Sequence, residues 1–205
     1  GGYHMKTLKE YTVKALVVCV ALTILCGVVY PLAVTGICQL AFPKQANGSI
    51  IEIDGKKYGS ALLAQEFTGD EYLWGRVMAL NTGAFHDDDG SPLLYAGPSN
   101  KSPASAEYGR MIAERVEKIR AAHPERADEP IPVDLVTGSG SGLDPHISPA
   151  AAEYQVERVA RARGVTADEV RAVIAEYTDG RLLGIFGEPT VNVLEVNLAL
   201  DGILK

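Results

Sequence analysis

The stretch ALVVCVALTILCGVVYPLAVTGICQLAF, residues 15–42, decides how this chain is organised. It carries no charged side chain, and at about 1.5 Å per residue a helix of this length exceeds a bilayer core of roughly 30 Å. A cleavable signal peptide is the alternative, but its apolar region normally runs only about 7–15 residues, and no small-x-small cleavage site follows. The stretch therefore predicts a transmembrane helix and stalk, with a single soluble domain over residues 43–205.

The charges on either side of the stretch predict its orientation. Residues 1–14 are interpreted as a cytoplasmic tail, of which residues 1–4, before Met5, are interpreted as a cloning remnant or as the product of an upstream start. Three lysines precede the stretch and Lys44 follows it, so the positive-inside bias places the N-terminus in the cytoplasm. The domain after the helix is then expected to be extracytoplasmic.

Within the predicted helix, several residues have properties that favour contact with another helix. Pro31 removes one backbone hydrogen bond and should kink the span. Small or polar residues let helices approach closely in lipid, although short polar side chains can also simply be tolerated there. The packing candidates are Gly27, Tyr30, Pro31, Gly36 and Gln39. If they pack, the helix docks on a larger membrane partner.

Charge and cysteine content limit the functions open to the domain. The chain carries a net charge of −7, and residues 43–205 alone carry −9. An acidic domain repels phosphate backbones, so we expect no nucleic-acid partner. All three cysteines, Cys19, Cys26 and Cys38, lie in the apolar stretch. The domain can therefore form neither a disulfide nor a thiolate metal site, and it can reside in either redox compartment.

Turn residues and apolar runs predict the strands of the domain. Asp54-Gly55 supplies the two positive-φ residues of a tight turn, so residues 50–58 are predicted to form a hairpin. Residues 81–103 are rich in turn signals and predict a long irregular loop. Apolar runs predict a short buried strand at 131–136 and a long, mostly buried one at 191–200.

Capping signals predict three helices. Ser102-Pro103 marks the start of the first, which Pro124 ends. Ser148-Pro149 starts the second, which runs to a C-terminal cap at Gly164. Thr166 opens the third through a capping box with Glu169. Because helices and strands alternate irregularly, the predicted fold is one N-terminal transmembrane α-helix plus a single α+β domain.

The glycine–serine string at residues 138–142 is the most conspicuous motif. Its backbone N–H groups could cradle an anion, but it lacks the spacing of a phosphate loop, a dinucleotide fingerprint or a nucleophile elbow. A tight loop that needs small residues is the better interpretation. Ser141, Asp144 and His146 could form a hydrolytic triad, yet such near neighbours rarely converge, and a rigid approach to the second helix fits them better.

No metal site is predicted. His86 and the three aspartates that follow could bind a hard cation, but the string fails the calcium-loop spacing, and a solvated turn is the simpler interpretation. The histidines of the chain show no zinc-ligand spacing. From the residues alone, the chain is a membrane-tethered acidic domain with no recognisable active site.

As a string, the domain resembles one family closely. VDLVTGSGSGLDPHISPAA, residues 133–151, is similar to the signature of the KdpC family, the small subunit of the Kdp ATP-driven potassium pump. Further matching strings lie at 30–32, 45–49, 154–160, 183–189 and 191–201. The chain departs from many members at Val77-Met78-Ala79 and at Thr190. The family motifs offer these interface candidates: Ser139, Gly140, Ser141, Gly142, Asp144, His146, Gly187, Glu188, Asn192 and Asn197.

The resemblance implies a non-catalytic subunit of a P-type ATPase complex in the bacterial inner membrane. Its partners would be a channel-like potassium-binding subunit, the ATPase subunit, a small accessory subunit and the lipid bilayer. The chain would stabilise or assemble the complex and cover the outer side of the potassium-conducting subunit. It would have no cofactor of its own.

Two alternatives remain open at this point. The family is also described as a catalytic chaperone that raises the ATP affinity of the ATPase subunit, with Gln155 in the position of the nucleotide contact. ATP would then be a cofactor shared with that subunit, although an extracytoplasmic domain meets little ATP. The other alternative is a membrane-tethered hydrolase that uses Ser141 or His146.

Overall fold

The computed structural model describes the backbone of residues 2–204, and the side chains of that range except those of residues 2–7, 81, 82, 84 and 94. Lys6 and part of the turn-rich stretch therefore lie outside the described side chains. The chain forms two compact units, Gly1–Ser49 and Ile50–Lys205.

The first unit is a long apolar helix. Helix α1 (Gly2–Ile24) continues through a π turn (Leu25–Val29) into α2 (Tyr30–Ala41), and a short α3 (Pro43–Ala46) follows. Within Leu8–Ala41, an 18-residue window reaches a mean hydropathy of 2.5, and none of that window is buried within the chain. At about 1.5 Å per residue this helix is long enough to cross a bilayer. The prediction of one long N-terminal apolar helix is confirmed.

The π turn accommodates Pro31. The N–H of Tyr30 donates to the carbonyl of Leu25, five residues earlier, instead of four. Pro31 has no N–H, and in a regular α-helix its ring would crowd the carbonyl of Gly27. The wider π turn relieves that contact. The irregularity expected at Pro31 is therefore located one turn earlier in the chain.

The second unit begins with two hairpins. Strands β1 (Ile50–Ile53) and β2 (Lys56–Ser60) pair antiparallel. Asp54 and Gly55 have φ of 52° and 77°, which confirms the predicted tight turn. Strands β3 (Leu80–His86) and β4 (Pro92–Ala96) form the second hairpin. The prediction of a long irregular loop over residues 81–103 was therefore wrong for residues 81–96.

A side chain stabilises the turn that joins β3 to β4. The carboxylate of Asp87 accepts hydrogen bonds from the N–H groups of Asp89 and Ser91, at 3.1 and 2.7 Å. The Asp and Gly residues therefore build a compact turn between paired strands. The acidic string beginning at His86 serves this turn.

The helices of the domain follow their capping signals. Helix α4 (Ala106–Ala122) is present as predicted, but its N-cap is Ser105, whose hydroxyl accepts from the N–H of Tyr108, and not Ser102. Helix α5 (Pro149–Arg163) is capped by Ser148 and ends at Gly164, whose φ is 67°. Helix α6 (Ala167–Glu176) has the predicted capping box.

Two predicted strands were wrong. Residues 131–136 contain a 3-10 turn at Val133–Leu135, because Pro132 cannot donate to a strand ladder. Strand β7 (Thr190–Asn192) is short, and helix α7 (Val193–Leu200) follows it at once. The side chain of Asn192 caps that helix. A short apolar run buried on all sides has no periodicity that separates a strand from a helix.

A small antiparallel sheet and the surrounding helices complete the α+β domain. Its strand order is β5 (His146–Ile147), β7, β6 (Thr178–Asp179). The core consists of apolar side chains from the helices, β7 and the 69–76 segment, including Leu73, Trp74, Ile119, Val156, Val159, Val170, Val191 and Val196. The fold class predicted from the sequence is confirmed.

Candidate functional site

The 69–76 segment crosses the core without regular secondary structure, and side-chain amides take the place of a neighbouring strand. Asn197 accepts from the N–H of Leu73 at 2.8 Å and donates to its carbonyl at 3.0 Å. Gln155 accepts from the N–H of Trp74 at 2.8 Å and donates to its carbonyl at 3.0 Å. Each amide thus satisfies both backbone groups of one buried residue.

Arg158 holds the beginning of the same segment. Its side chain is 1% exposed and donates to the carbonyls of Asp70 and Tyr72, at 2.5 and 3.0 Å. It also donates to the Gln155 side-chain oxygen at 2.7 Å, and it lies over the Trp74 ring at 4.2 Å. Burial lowers the pKa of Arg158 to about 10, so the guanidinium stays charged at neutral pH.

His123 completes this buried network. Its Nε2 accepts from Arg158 at 3.0 Å, so Nδ1 carries the proton and donates to the carbonyl of Ile119 at 2.7 Å. Burial lowers the pKa of His123, and the neighbouring positive charge of Arg158 lowers it further, whereas the hydrogen bond to Ile119 raises it. The imidazole is therefore neutral in the fold.

The residue predicted to contact a nucleotide lies in the middle of this network. Gln155 is 0% exposed, and both its oxygen and its nitrogen bind protein groups. A nucleotide could reach it only if these hydrogen bonds opened. The interface candidates Asn192 and Asn197 are also buried, at 4% and 0% exposed. Asn192 donates to the carbonyl of Ala61 at 2.9 Å and caps α7.

The glycine–serine string lies against the chain that leaves the 69–76 segment. Val77 and Gly138 form an isolated parallel bridge. Gly142 has φ of +74°, and a Cβ there would lie 2.7 Å from the carbonyl oxygen of Gly97. Gly140 has open space around it. The interpretation as a tight loop therefore holds at Gly142, where neighbouring backbone comes too close for a side chain.

The serines of the string bond to the loop itself. The Ser139 hydroxyl accepts from the N–H of Gly142 at 3.0 Å, and the Ser141 hydroxyl accepts from the N–H of Leu143 at 3.2 Å. Asp144 accepts from the backbone N–H of His146 at 2.9 Å, and its carboxylate lies 3.6 Å from Nδ1 of that residue. Over residues 2–204, no hydrogen bond joins Ser141 to His146. The hydrolase alternative gains no support.

Two adjoining cavities open beside this loop. The large cavity, of about 760 Å³, is lined by residues from four parts of the domain: Val77–Leu80, Tyr95, Gly97–Ser99, Lys101, Met111 and Gly138–Gly140. Two of the predicted interface residues, Ser139 and Gly140, therefore lie on its wall. The second cavity, of about 260 Å³, shares Val77, Met78 and Leu80 with it.

The second cavity is cationic. Arg76, Arg115 and Lys118 line it together with a single carboxylate, that of Glu66. Burial lowers the pKa of Arg115, and Glu66 partly offsets the shift. The sequence analysis missed these residues. Arg115 and Lys118 lie three apart on one face of α4, but nothing local connects them with Arg76.

An apolar loop at residues 181–188 contains two more interface candidates, Gly187 and Glu188. Its four large apolar side chains are strongly exposed: Leu182 71%, Leu183 80%, Ile185 73% and Phe186 62%. An ion pair of 2.7 Å between Arg181 and Glu188 closes its base. Exposed apolar patches of this kind mark interaction sites.

The packing candidates of the apolar helix are open to a neighbour. A Cβ added at Gly27 or Gly36 would meet no atom within 4 Å. Tyr30 is 66% exposed, and it precedes Pro31 at the start of α2. The amide of Gln39 pairs with that of Asn47, at 3.0 and 3.3 Å.

The long apolar helix and the α+β domain that follows it define a membrane-anchored protein. The chain belongs to the family described as KdpC: K+-transporting ATPase, c chain, whose model matches residues 12–202. The expected resemblance is confirmed.

Relatives called potassium-transporting ATPase KdpC subunit match almost the whole chain. The protein from Clostridium botulinum (strain Eklund 17B / Type B) is 59% identical over 98% of this chain and 100% of its own length. The protein from Sorangium cellulosum is 53% identical over 92% and 95%. The protein from Dechloromonas aromatica is 45% identical over 98% and 100%.

Proposed function

We propose that this chain is a non-catalytic subunit of an ATP-driven potassium pump in the bacterial inner membrane. Family membership over residues 12–202 carries the proposal. Its partners are the channel-like potassium-binding subunit, the P-type ATPase subunit and a small accessory subunit. ATP acts on the ATPase subunit, and this chain stabilises the complex.

Two surfaces support a role in assembly. The apolar helix exposes the small residues Gly27 and Gly36, which let a second helix approach closely. The loop at 181–188 exposes apolar side chains that an isolated domain would normally bury. A partner subunit would cover both surfaces.

Co-purification tests the assignment. The tagged full-length chain is expressed with the other pump genes, extracted in mild detergent and captured. A multi-span subunit and an ATPase subunit should elute with it in fixed ratio. Their absence, with the captured chain still folded, would contradict the proposed function.

We further propose that the N-terminus is cytoplasmic and that the domain covers the outer side of the potassium-conducting subunit. The lysines before the apolar stretch support this orientation. Ser102, which is exposed, provides a labelling position. With Cys19, Cys26 and Cys38 replaced by alanine, Ser102→Cys should react with a membrane-impermeant maleimide in intact spheroplasts. Protection until the cells are lysed would reverse the orientation.

A further inference from the structure

The cationic cavity is unusual in so acidic a domain. Residues 43–205 carry a net charge of −9, yet Arg76, Arg115 and Lys118 converge on a cavity with one carboxylate. Across the described part of the chain, no ion pair within 4.0 Å involves any of these three cations. Cations that repel one another in one cavity favour an anion between them.

Hydrogen bonding leaves donors free at this cavity. Arg115 donates through Nε to the carbonyl of Leu135 at 2.9 Å and through one terminal nitrogen to the carbonyl of Gly75 at 3.3 Å. Arg76 donates to the carbonyl of Gly138 at 3.3 Å, while its Nε is buried without a partner. A buried N–H group without a partner costs about 1–3 kcal/mol. The two guanidinium groups are therefore fixed in place but only partly satisfied.

The surroundings of the cavity indicate what kind of anion it takes. Phe67, Val77, Met78 and Leu80 supply apolar walls, and the last three continue into the large cavity. Met78 and Met111 are flexible side chains that adapt to varied apolar partners. A carboxylate on a short carbon stem, carried by a polypeptide with apolar neighbours, matches both cavities together.

We infer that this cavity receives an acidic side chain from a partner subunit, with its flanking apolar residues in the large cavity. The inference rests on the proposed function. Arg76 and Arg115 bind the carboxylate from fixed positions, and Lys118 closes over it from α4. In the free chain the Lys118 ammonium lies 5.1 Å from the Trp74 ring, so docking would draw it away from the indole.

Charge reversal at Lys118 is the sharpest test. Lys118 is exposed and makes no hydrogen bond in the described structure, so Lys118→Glu should fold. Arg120→Glu is the matched control, because Arg120 is exposed on the same helix outside both cavities. We expect the amount of partner subunit that co-purifies with Lys118→Glu to be at least about tenfold lower than with the wild type. The amount that co-purifies with Arg120→Glu should equal that of the wild type. If Lys118→Glu fails to fold, Lys118→Gln replaces it, with a smaller expected loss.

The outcomes separate the two proposals. If the wild-type chain captures no partner, the proposed function fails. If the wild type and both variants capture partners equally, the inference is overturned and the proposed function stands. A selection for growth at limiting potassium provides a positive test. Cells that carry Lys118→Glu should regain growth when an Asp or Glu of a partner subunit is replaced by Lys.

A phosphate group is the competing occupant, and Trp74 reports on it. Trp74 is the single tryptophan of the chain, and its ring lies 5.1 Å from the Lys118 ammonium, so a movement of Lys118 should change its emission. The full-length chain in detergent is titrated with ATP and, separately, with inorganic phosphate at constant ionic strength. We expect no saturable change in emission. A saturable change that Lys118→Glu abolishes would overturn the inference in favour of a phosphate site.

Discussion

Replacing Gln155 with methionine tests whether this residue holds the fold or binds a ligand. Methionine has nearly the same length but can neither accept from the N–H of Trp74 nor donate to its carbonyl, which Gln155 does at 2.8 and 3.0 Å. Gln155 is 0% exposed, so water cannot take over these bonds. The change removes hydrogen bonds without opening a large cavity.

The expected loss of stability follows from the two backbone groups left without partners. Each buried, unsatisfied group costs about 1–3 kcal/mol, so Gln155→Met should lower the free energy of unfolding by roughly 2–6 kcal/mol. Arg158 also loses its bond to the Gln155 oxygen, which adds to the cost. A loss of about 3 kcal/mol is a large fraction of the roughly 5–15 kcal/mol that stabilises a typical domain.

Urea unfolding of the full-length chain in detergent measures this difference in the free energy of unfolding. The emission of Trp74, which lies at the affected site, monitors the transition. Gln45→Met serves as the control, because Gln45 is exposed and should change stability by less than about 0.5 kcal/mol. Asn197→Leu, which removes the equivalent pair of bonds to Leu73, should be destabilising to a similar degree.

Crosslinking to a photoreactive ATP analogue separates the structural role from a nucleotide contact. If Gln155 is structural, any labelling of Gln155→Met should fall only in proportion to the unfolded fraction. An unchanged unfolding midpoint together with a complete loss of labelling would refute the structural role, and would favour the ATP-binding chaperone.

Further predictions concern the loop, the buried histidine and a helix cap. Gly142→Ala should destabilise the domain measurably in urea, because its Cβ would meet the backbone at 2.7 Å, whereas Gly140→Ala in open space should be neutral; equal effects would contradict this packing. The folded pKa of His123 is below 6.5, so the unfolded chain takes up the extra proton, and stability should fall from pH 7.5 to 5.5 by at most about 1.4 kcal/mol per unit. His123→Gln should flatten that slope in unfolding curves, and an unchanged slope would contradict this origin. Thr166→Ala should cost about 1 kcal/mol in the same assay through loss of its capping box.

Features set by neighbouring residues were predictable from the sequence. The capping box of Thr166, the αL residue Gly164 and the Asp54-Gly55 turn each depend on hydrogen bonds that span only a few residues. Helix α7 was not predictable in the same way. Its apolar residues are buried on several sides, so the periodicity that marks a surface helix is missing.

The candidate site was only partly predictable for a related reason. Ser139 and Gly140 belong to a conspicuous string and do line the large cavity. Gln155 belongs to another matching string, but its partner Trp74 is 81 residues away, and nothing local indicates that the two meet. A motif thus indicates that a residue is important, whereas only its contacts in the fold show whether its role is structural or ligand-binding.

The sequence by itself determined the long apolar helix, the capped helices of the domain and the family. Each of these depends on residues that are close together in the chain: a continuous apolar run, hydrogen bonds over a few residues, or a motif string. Only the tertiary structure decided that buried amides replace a strand beside Leu73 and Trp74. It also brought Arg76 to the face of α4 that carries Arg115 and Lys118. Such pairings bury groups far apart in the chain, and packing of the whole core selects them.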